Sequence, residues 1–319
     1  SPQETVESVG ADILRIWVVS SDYSEDLRLG PEILKHQADL YRRIRNTLRF
    51  LLGNLHGFDE SERVPSADMP ELERWVLHRI HEIDALVRQT TDDFEFHTQW
   101  TALHNFCAVE LSAFYFDIRK DALYCDAPDS LRRRAARTVL DVLFSHLTAW
   151  LAPILCFTAE EAWLARRGDA DAESIHLRTF PEVPADWRDD ALTLKWEKVR
   201  RLRRVVTGAL EIERAEKRIG SSLQAAPTIY ADAETVAAMS GLDLAEISIT
   251  SGGTLVDGDG PDDAFRLPDV EAIAVVPGLA EGEKCARCWQ VLPDVGSHTH
   301  PDVCARCAAA IDGQQEAAE

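Results

Sequence analysis

The sequence is poor in lysine: of its 34 basic residues only 6 are Lys, leaving 28 Arg. It also lacks a long apolar run. The longest largely apolar stretch, residues 147–157, is broken by Pro153 and falls well short of the ~20 residues that a membrane helix needs, so a soluble protein is expected. No basic segment followed by an apolar one opens the chain, which gives no sign of secretion. The first residue is Ser1 and not Met, as in a fragment. An excess of positive charge is missing too. The 34 basic against 55 acidic residues give −21, which excludes a protein that coats nucleic acid by bulk charge. There is no Gly-rich phosphate loop. Histidines such as His97 and His104 have no Ser or Cys partner at a telling spacing, so no triad is assigned and no catalytic residue is expected. Seven Cys in a chain with no sign of secretion point to reduced thiols or metal rather than disulfides.

What is present is enough for two or three domains: 319 residues, 45% of them hydrophobic. The acidity is uneven. Residues 226–319 hold 4 basic and 17 acidic side chains, net −13, while residues 1–225 hold 30 and 38, net −8. Up to about residue 220 apolar residues recur at helical spacing. Helices are predicted over 11–19, 32–55, from Pro70 in a first turn to about Gln89, 97–121, 130–151, 158–166 behind a Thr158 to Glu161 capping box, and 192–217. After Gly220 the pattern changes. Residues 227–230, 246–250 and 271–276 read as short strands, 232–239 as a small helix, 251–263 as a flexible loop or hairpin tip, and the chain after Asp312 as disordered. The expected fold class is mainly α: a helical bundle, then a small α+β domain and a four-cysteine zinc ribbon or knuckle.

The most specific pattern is Cys285-Ala-Arg-Cys288, 15 intervening residues, and Cys304-Ala-Arg-Cys307. Two such turns each present two thiolates, enough to complete a tetrahedral zinc shell. Four protein ligands leave no position for water, so the expected zinc is structural, one per chain. His298 and His300 lie between the turns and stand as substitute ligands. Trp289 directly follows the first turn and Arg287 lies inside it. Trp289 is either the lid of a small metal core or a platform for an unpaired base. Along residues 195–218 nine basic and four acidic residues give +5, with Arg200, Arg201, Arg203 and Arg204 nearly adjacent. That run is either a solvated helix face or a phosphate-tracking one, and Arg42, Arg43, Arg45 and Arg49 pose the same choice. Cys107, Cys125 and Cys156 read as isolated packed thiols.

Several segments together resemble the C-terminal portion of the bacterial-type isoleucyl-tRNA synthetases, a class I family. They are Gly10-Ala-Asp-Ile-Leu-Arg-Ile-Trp17, Ser20-Ser-Asp-Tyr23, Arg43-Ile-Arg-Asn-Thr-Leu-Arg-Phe-Leu-Leu52, Phe114-Tyr-Phe-Asp-Ile-Arg-Lys-Asp121, Ala152-Pro-Ile-Leu-Cys-Phe-Thr-Ala-Glu-Glu-Ala-Trp163, Ile219-Gly-Ser-Ser-Leu223 and Lys284-Cys-Ala-Arg-Cys-Trp289. Valyl, leucyl and methionyl enzymes share the helical domain; the zinc module selects the isoleucine family. The resemblance is weakest over 226–282. It implies a stem-contact segment over 1–30, a helical anticodon-binding domain over 31–220, an α+β junction over 221–282, a zinc module over 283–310 and a disordered tail over 311–319. The family's HIGH and KMSKS signatures and its editing domain are absent from this sequence, so the resemblance implies tRNA binding without adenylate chemistry. ATP would serve the absent catalytic domain of a cytoplasmic, monomeric ligase that binds neither DNA nor membrane. The resemblance implies that Arg287 and Trp289 meet anticodon bases; Arg42, Arg43 and Arg45, on the Arg-rich helix, are expected at phosphates. Two other readings compete. A base-excision DNA glycosylase has similar Cys spacing, but Pro2 is followed here by Gln3 where that enzyme has a catalytic Pro-Glu, and the helical first 220 residues do not look like its β-rich half. A zinc-stapled protein-interaction scaffold would leave the Arg-rich helices without a ligand.

Overall fold

The computed structural model describes residues 1–24, 26–168 and 173–316. The chain divides into two units, Ser1–Arg119 with Arg134–Arg188, and Lys120–Arg133 with Asp189–Glu319.

The first unit is helical. α1 (Pro2–Val9), absent from the sequence reading, starts from a Ser1 to Glu4 capping box and buries nothing. α2 (Ala11–Ser20) buries Ile13 and Ile16, and α3 (Pro31–Asn54) buries Ile44, Leu48 and Leu51 with Arg42, Arg43, Arg45 and Arg49 left on its exposed side. α4 (Glu71–Asp92) sends Leu72, Val76, Ile80, Ile83 and Val87 inward, as the period-3.6 stripe requires. Pro70 stands at its N-cap rather than in the first turn. The single helix expected over 97–121 is α5 (Phe96–Asn105), a π-helical stretch Phe106–Phe116, and α6 (Asp117–Cys125). Phe114, Tyr115 and Phe116 are consecutive and all buried, an outcome that the narrow apolar stripe of an α-helix does not give. Phe114 meets Trp75 edge-on at 5.4 Å and Phe116 stacks on Phe50 at 4.3 Å. Tyr115 Oη donates to Glu73 Oε1 at 3.0 Å, and Arg119 forks onto both Glu73 oxygens at 2.6 and 2.7 Å. Glu73 and Arg119 are almost wholly buried, so the pairing replaces part of what water would have supplied to each charge.

The chain leaves this unit within α6 and re-enters it within α7 (Leu131–Leu151). α8 (Cys156–Arg167) starts two residues before the expected position, and no capping box opens it. The carboxylate of Asp12, from α2, instead accepts from the amides of Phe157 (3.3 Å) and Thr158 (2.8 Å) and from the Thr158 hydroxyl (2.6 Å). An anion from a distant helix satisfies the orphan donors, and Thr158 is used as a donor within the helix rather than as its cap.

In the second unit α9 (Asp190–Ala215) is capped by Asp189, whose side chain accepts from Leu192 N at 2.9 Å. Trp196, Val199, Leu202, Val205 and Val206 are buried, and the helix packs on a four-stranded sheet ordered β2 (Thr254–Asp257), β1 (Thr228–Ala231), β4 (Val270–Val276), β3 (Phe265–Leu267). Gly208 makes this approach possible, since a Cβ there would lie 3.0 Å from the Phe265 ring. Pairs β1–β4 and β3–β4 are antiparallel; β1–β2 is parallel, with Thr228 beside Thr254 and Ala231 beside Asp257. A parallel pair needs a crossover. It contains α10 (Ala233–Ala238) and α11 (Leu244–Ser248).

Two expectations fail here. Residues 246–250, read as a strand from their β-branched content, lie mostly in α11, because Asp243 caps the amides of Ala245 (2.8 Å) and Glu246 (3.3 Å). Residues 251–263, read as a loop, contain β2, whose Thr-Leu-Val core was masked by flanking Gly and Asp. The tail expected to be disordered from 311 continues as helix α12 (Ala305–Glu316), where Ala308 and Ala310 are buried and Ala favours the helix; residues 317–319 lie outside the described residues. Among the described residues no helix is long and apolar enough to cross a membrane.

Candidate metal centre

Gly282 opens the module at φ +113, where a Cβ would lie 2.3 Å from the Leu292 carbonyl. From there β5 (Glu283–Lys284) pairs antiparallel with β6 (Val291–Leu292). The first knuckle is the tight connection between them, closed by Cys285 N donating to Gln290 O at 2.8 Å and Trp289 N to Cys285 O at 2.9 Å. The second knuckle straddles the start of α12: Cys304 precedes the helix and Cys307 lies one turn on. Asp294 caps that helix by accepting from Ala305 N at 2.7 Å. The knuckles are joined by Ala286 N donating to Asp302 O at 2.8 Å.

This geometry brings Cys285, Cys288, Cys304 and Cys307 together, buried, with all four sulfurs within 4.8 Å of one another. The Cys288 and Cys304 sulfurs are 3.8 Å apart, and a tetrahedron with Zn–S of about 2.3 Å has S···S edges of about 3.8 Å. Burial opposes ionisation of Cys285, but the amides of Cys288, Cys304 and Arg287 hold its thiol down to about 6. Burial and the sulfurs opposite push Cys288 upward and Cys307 to about 12. A divalent cation at the centre favours the thiolate form of all four. The four thiols therefore fit a structural zinc. Val303, Ala308 and the Cys125 thiol complete the buried cluster, with Leu292, Val295 and Ile311 packed against it. His298 and His300 are not drawn in, their Nε2 atoms lying 3.5 Å from Asp294 and 2.7 Å from Asp312.

The two knuckle residues implied as base contacts sit differently. Trp289 is 61% exposed and held at φ +66, with Lys284 Nζ 5.5 Å from its ring centre. Arg287 is half-buried, donating to the Cys125 carbonyl and, at 3.7 Å, to the Cys307 sulfur. Arg42, Arg43 and Arg45 lie in the first unit, exposed on α3. Arg42 pairs with Asp39, Arg45 lies 3.7 Å from Glu161, and Arg43 adds its charge to the burial that lowers the pKa of His104. Much of the +5 run over residues 195–218 is used internally: Lys198 on Glu234, Arg203 on the Ile247 carbonyl, Arg204 on Asp269, Arg218 on Glu213.

The sequence reading missed the segment Lys120–Arg133. Cys125 is a packed thiol, pushed up to about 11 by burial and by Asp121, but what it packs against is the four-cysteine cluster. Arg306 reaches Asp121 and Asp126. The available signal was the repetition of Cys-Ala-Arg-Cys, with Arg at the same place in both knuckles.

Two families match the chain: the anticodon-binding domain of tRNA ligase over residues 73–229, and the zinc finger found in FPG and IleRS over residues 282–310. The isoleucine–tRNA ligase of Agrobacterium fabrum is 56% identical over 313 residues, 98% of this chain and 32% of that protein. The chain matches the C-terminal part of the isoleucine–tRNA ligases. Those of Ruegeria pomeroyi and Bartonella henselae are 56% and 50% identical over 312 residues each, 97% of this chain and 32% of theirs. The chain thus spans about a third of the length of the ligases it matches. The zinc finger alone is common to both FPG and IleRS; the anticodon-binding domain beside it settles the similarity on the ligase side. A solved LeuRS of Agrobacterium radiobacter K84, in a ternary complex with tRNA and LeuAMS, overlaps 59% of this chain and 21% of its own at TM-score 0.46 and 14% identity.

Proposed function

We propose that this chain holds the anticodon arm of isoleucine tRNA for a ligase that attaches isoleucine to that tRNA using ATP. The observation that carries the reading is the pairing of an anticodon-binding domain with a four-thiol knuckle that presents an exposed, backbone-fixed Trp289. Zinc, when bound, fixes the knuckle. An indole held this way stacks a splayed base with little ordering cost, and Lys284 beside it supplies positive charge toward the phosphates. Arg42, Arg43 and Arg45 serve as phosphate contacts. The ion pair of Arg42 with Asp39 and the contact of Arg45 with Glu161 are exposed and therefore weak, so both side chains exchange them for phosphate readily. No residue here is assigned to the chemical step. The contribution is positioning, which raises the effective concentration of the reacting end elsewhere. A cytoplasmic monomer, with the segment boundaries at 30, 220, 282 and 310, belongs to the same reading.

Filter binding with isoleucine tRNA, an unrelated tRNA and duplex DNA tests it. The chain should retain isoleucine tRNA best; equal or stronger retention of duplex DNA, or no retention of any nucleic acid, would sink the reading.

A further inference from the structure

Each knuckle reads Cys-Ala-Arg-Cys, and neither arginine is spent on solvent alone. We infer that Arg287 and Arg306 are positioning residues forming a paired clamp, which fastens the two zinc knuckles onto residues 121–126 and makes the order of that segment depend on the metal. Arg287 donates to the Cys125 carbonyl, one of the last carbonyls of α6 and so without an intrahelical partner. A cation is favoured at that end of a helix. In return the Cys125 thiol donates to the Arg287 carbonyl at 3.7 Å. Arg306, the second residue of α12, forks onto Asp121, with a 2.8 Å bond to its Oδ1, and reaches Asp126 Oδ1 at 3.0 Å.

Asp126 is nearly buried and also accepts from Arg132 at 2.8 Å, while Arg132 reaches Glu246 on α11 at 2.9 Å. Asp121, Asp126, Arg132, Glu246 and Arg306 thus form one partly buried charge network, unlike the exposed pairs on α3, and the planar fork of arginine suits such shared carboxylates. Both arginines lie between two metal ligands. When zinc is lost, the knuckle backbone that aims them is lost, and the end of α6 loses both fasteners together. The same geometry makes Arg287 an internal anchor and leaves Trp289 as the exposed residue of the pair.

Backbone hydrogen exchange of the full chain carrying one zinc, with no RNA present, reads the clamp directly. Arg306→Ala should speed exchange over residues 120–126 by about tenfold or more while zinc stays at one per chain. Asp121→Asn, which touches neither a ligand nor the knuckle backbone, should reciprocally speed exchange over residues 304–310. Unchanged exchange in the Asp121→Asn protein overturns the clamp even if Arg306→Ala proves too unstable to study. The consequence for Arg287 rests on the tRNA reading and has its own arm. Arg287→Ala should speed exchange over residues 120–126 and leave the slope of log affinity against log salt unaltered. A slope shallower by about one with unaltered exchange would make Arg287 a phosphate contact and overturn its place in the clamp. The exchange readout needs no nucleic acid, so failure of tRNA binding would sink the proposed function and leave the test of the clamp intact.

Discussion

The helical first unit and the zinc module solve the problem of burying polar chemistry in opposite ways. In the helical unit a buried carboxylate and guanidinium, Glu73 and Arg119, satisfy each other within a large apolar core built around Trp75, Trp100 and Trp150. In the module four buried sulfurs have too few apolar neighbours to hold a fold and need a cation at their centre. The first arrangement loses only the contacts of the residue that changes, while the core around it stays. The second loses its organising centre.

That contrast orders the expected effects. The largest is metal removal: chelation, or Ser at any of Cys285, Cys288, Cys304 or Cys307, should unfold residues 283–310, since zinc binding in such modules is worth about 10 to 16 kcal/mol of folding free energy. Elemental analysis and hydrogen exchange check this, and exchange in α4 should stay as it was. Next comes Glu73→Ala, which takes from the buried Arg119 the carboxylate it forks onto and should cost about 3 to 5 kcal/mol in denaturant unfolding of the helical unit with zinc retained. A comparable loss of zinc on Glu73→Ala would break the separation. Asp12→Ala removes a cap supplied across 146 residues of sequence and should cost about 1 to 2 kcal/mol. The smallest effect on stability, within about 0.5 kcal/mol, is expected of Arg42→Ala, Arg43→Ala or Arg45→Ala. These should weaken all tRNAs alike and flatten the salt dependence of binding.

The same contrast explains what could be read in the sequence. The stripes of α3, α4 and α9 follow from spacing alone, because burial of one helical face leaves a periodic record. The four ligands were equally plain, since tetrahedral thiolate chemistry imposes a spacing. Contacts between positions far apart in sequence leave no such record. Asp12 capping α8, Asp121 and Asp126 receiving Arg306, and Cys125 joining the metal cluster depend on how the chain returns on itself. Residues 246–250 show local propensity overruled by a cap: Ile247, Ile249 and Thr250 favour a strand, and Asp243 starts a helix instead. In β2 the pairing with β1 outweighs the Gly and Asp on either side.

The measurement that bears most directly on the proposed function compares the affinity of the zinc-loaded chain and of Trp289→Ala for isoleucine tRNA and for the same tRNA with an altered anticodon. A lost base stack should cost about 1 to 3 kcal/mol, and Trp289→Ala should bind the two tRNAs more nearly alike while keeping its zinc and fold. A Trp289→Ala protein that keeps zinc, fold and undiminished anticodon discrimination would show Trp289 to be no more than the lid of a structural knuckle.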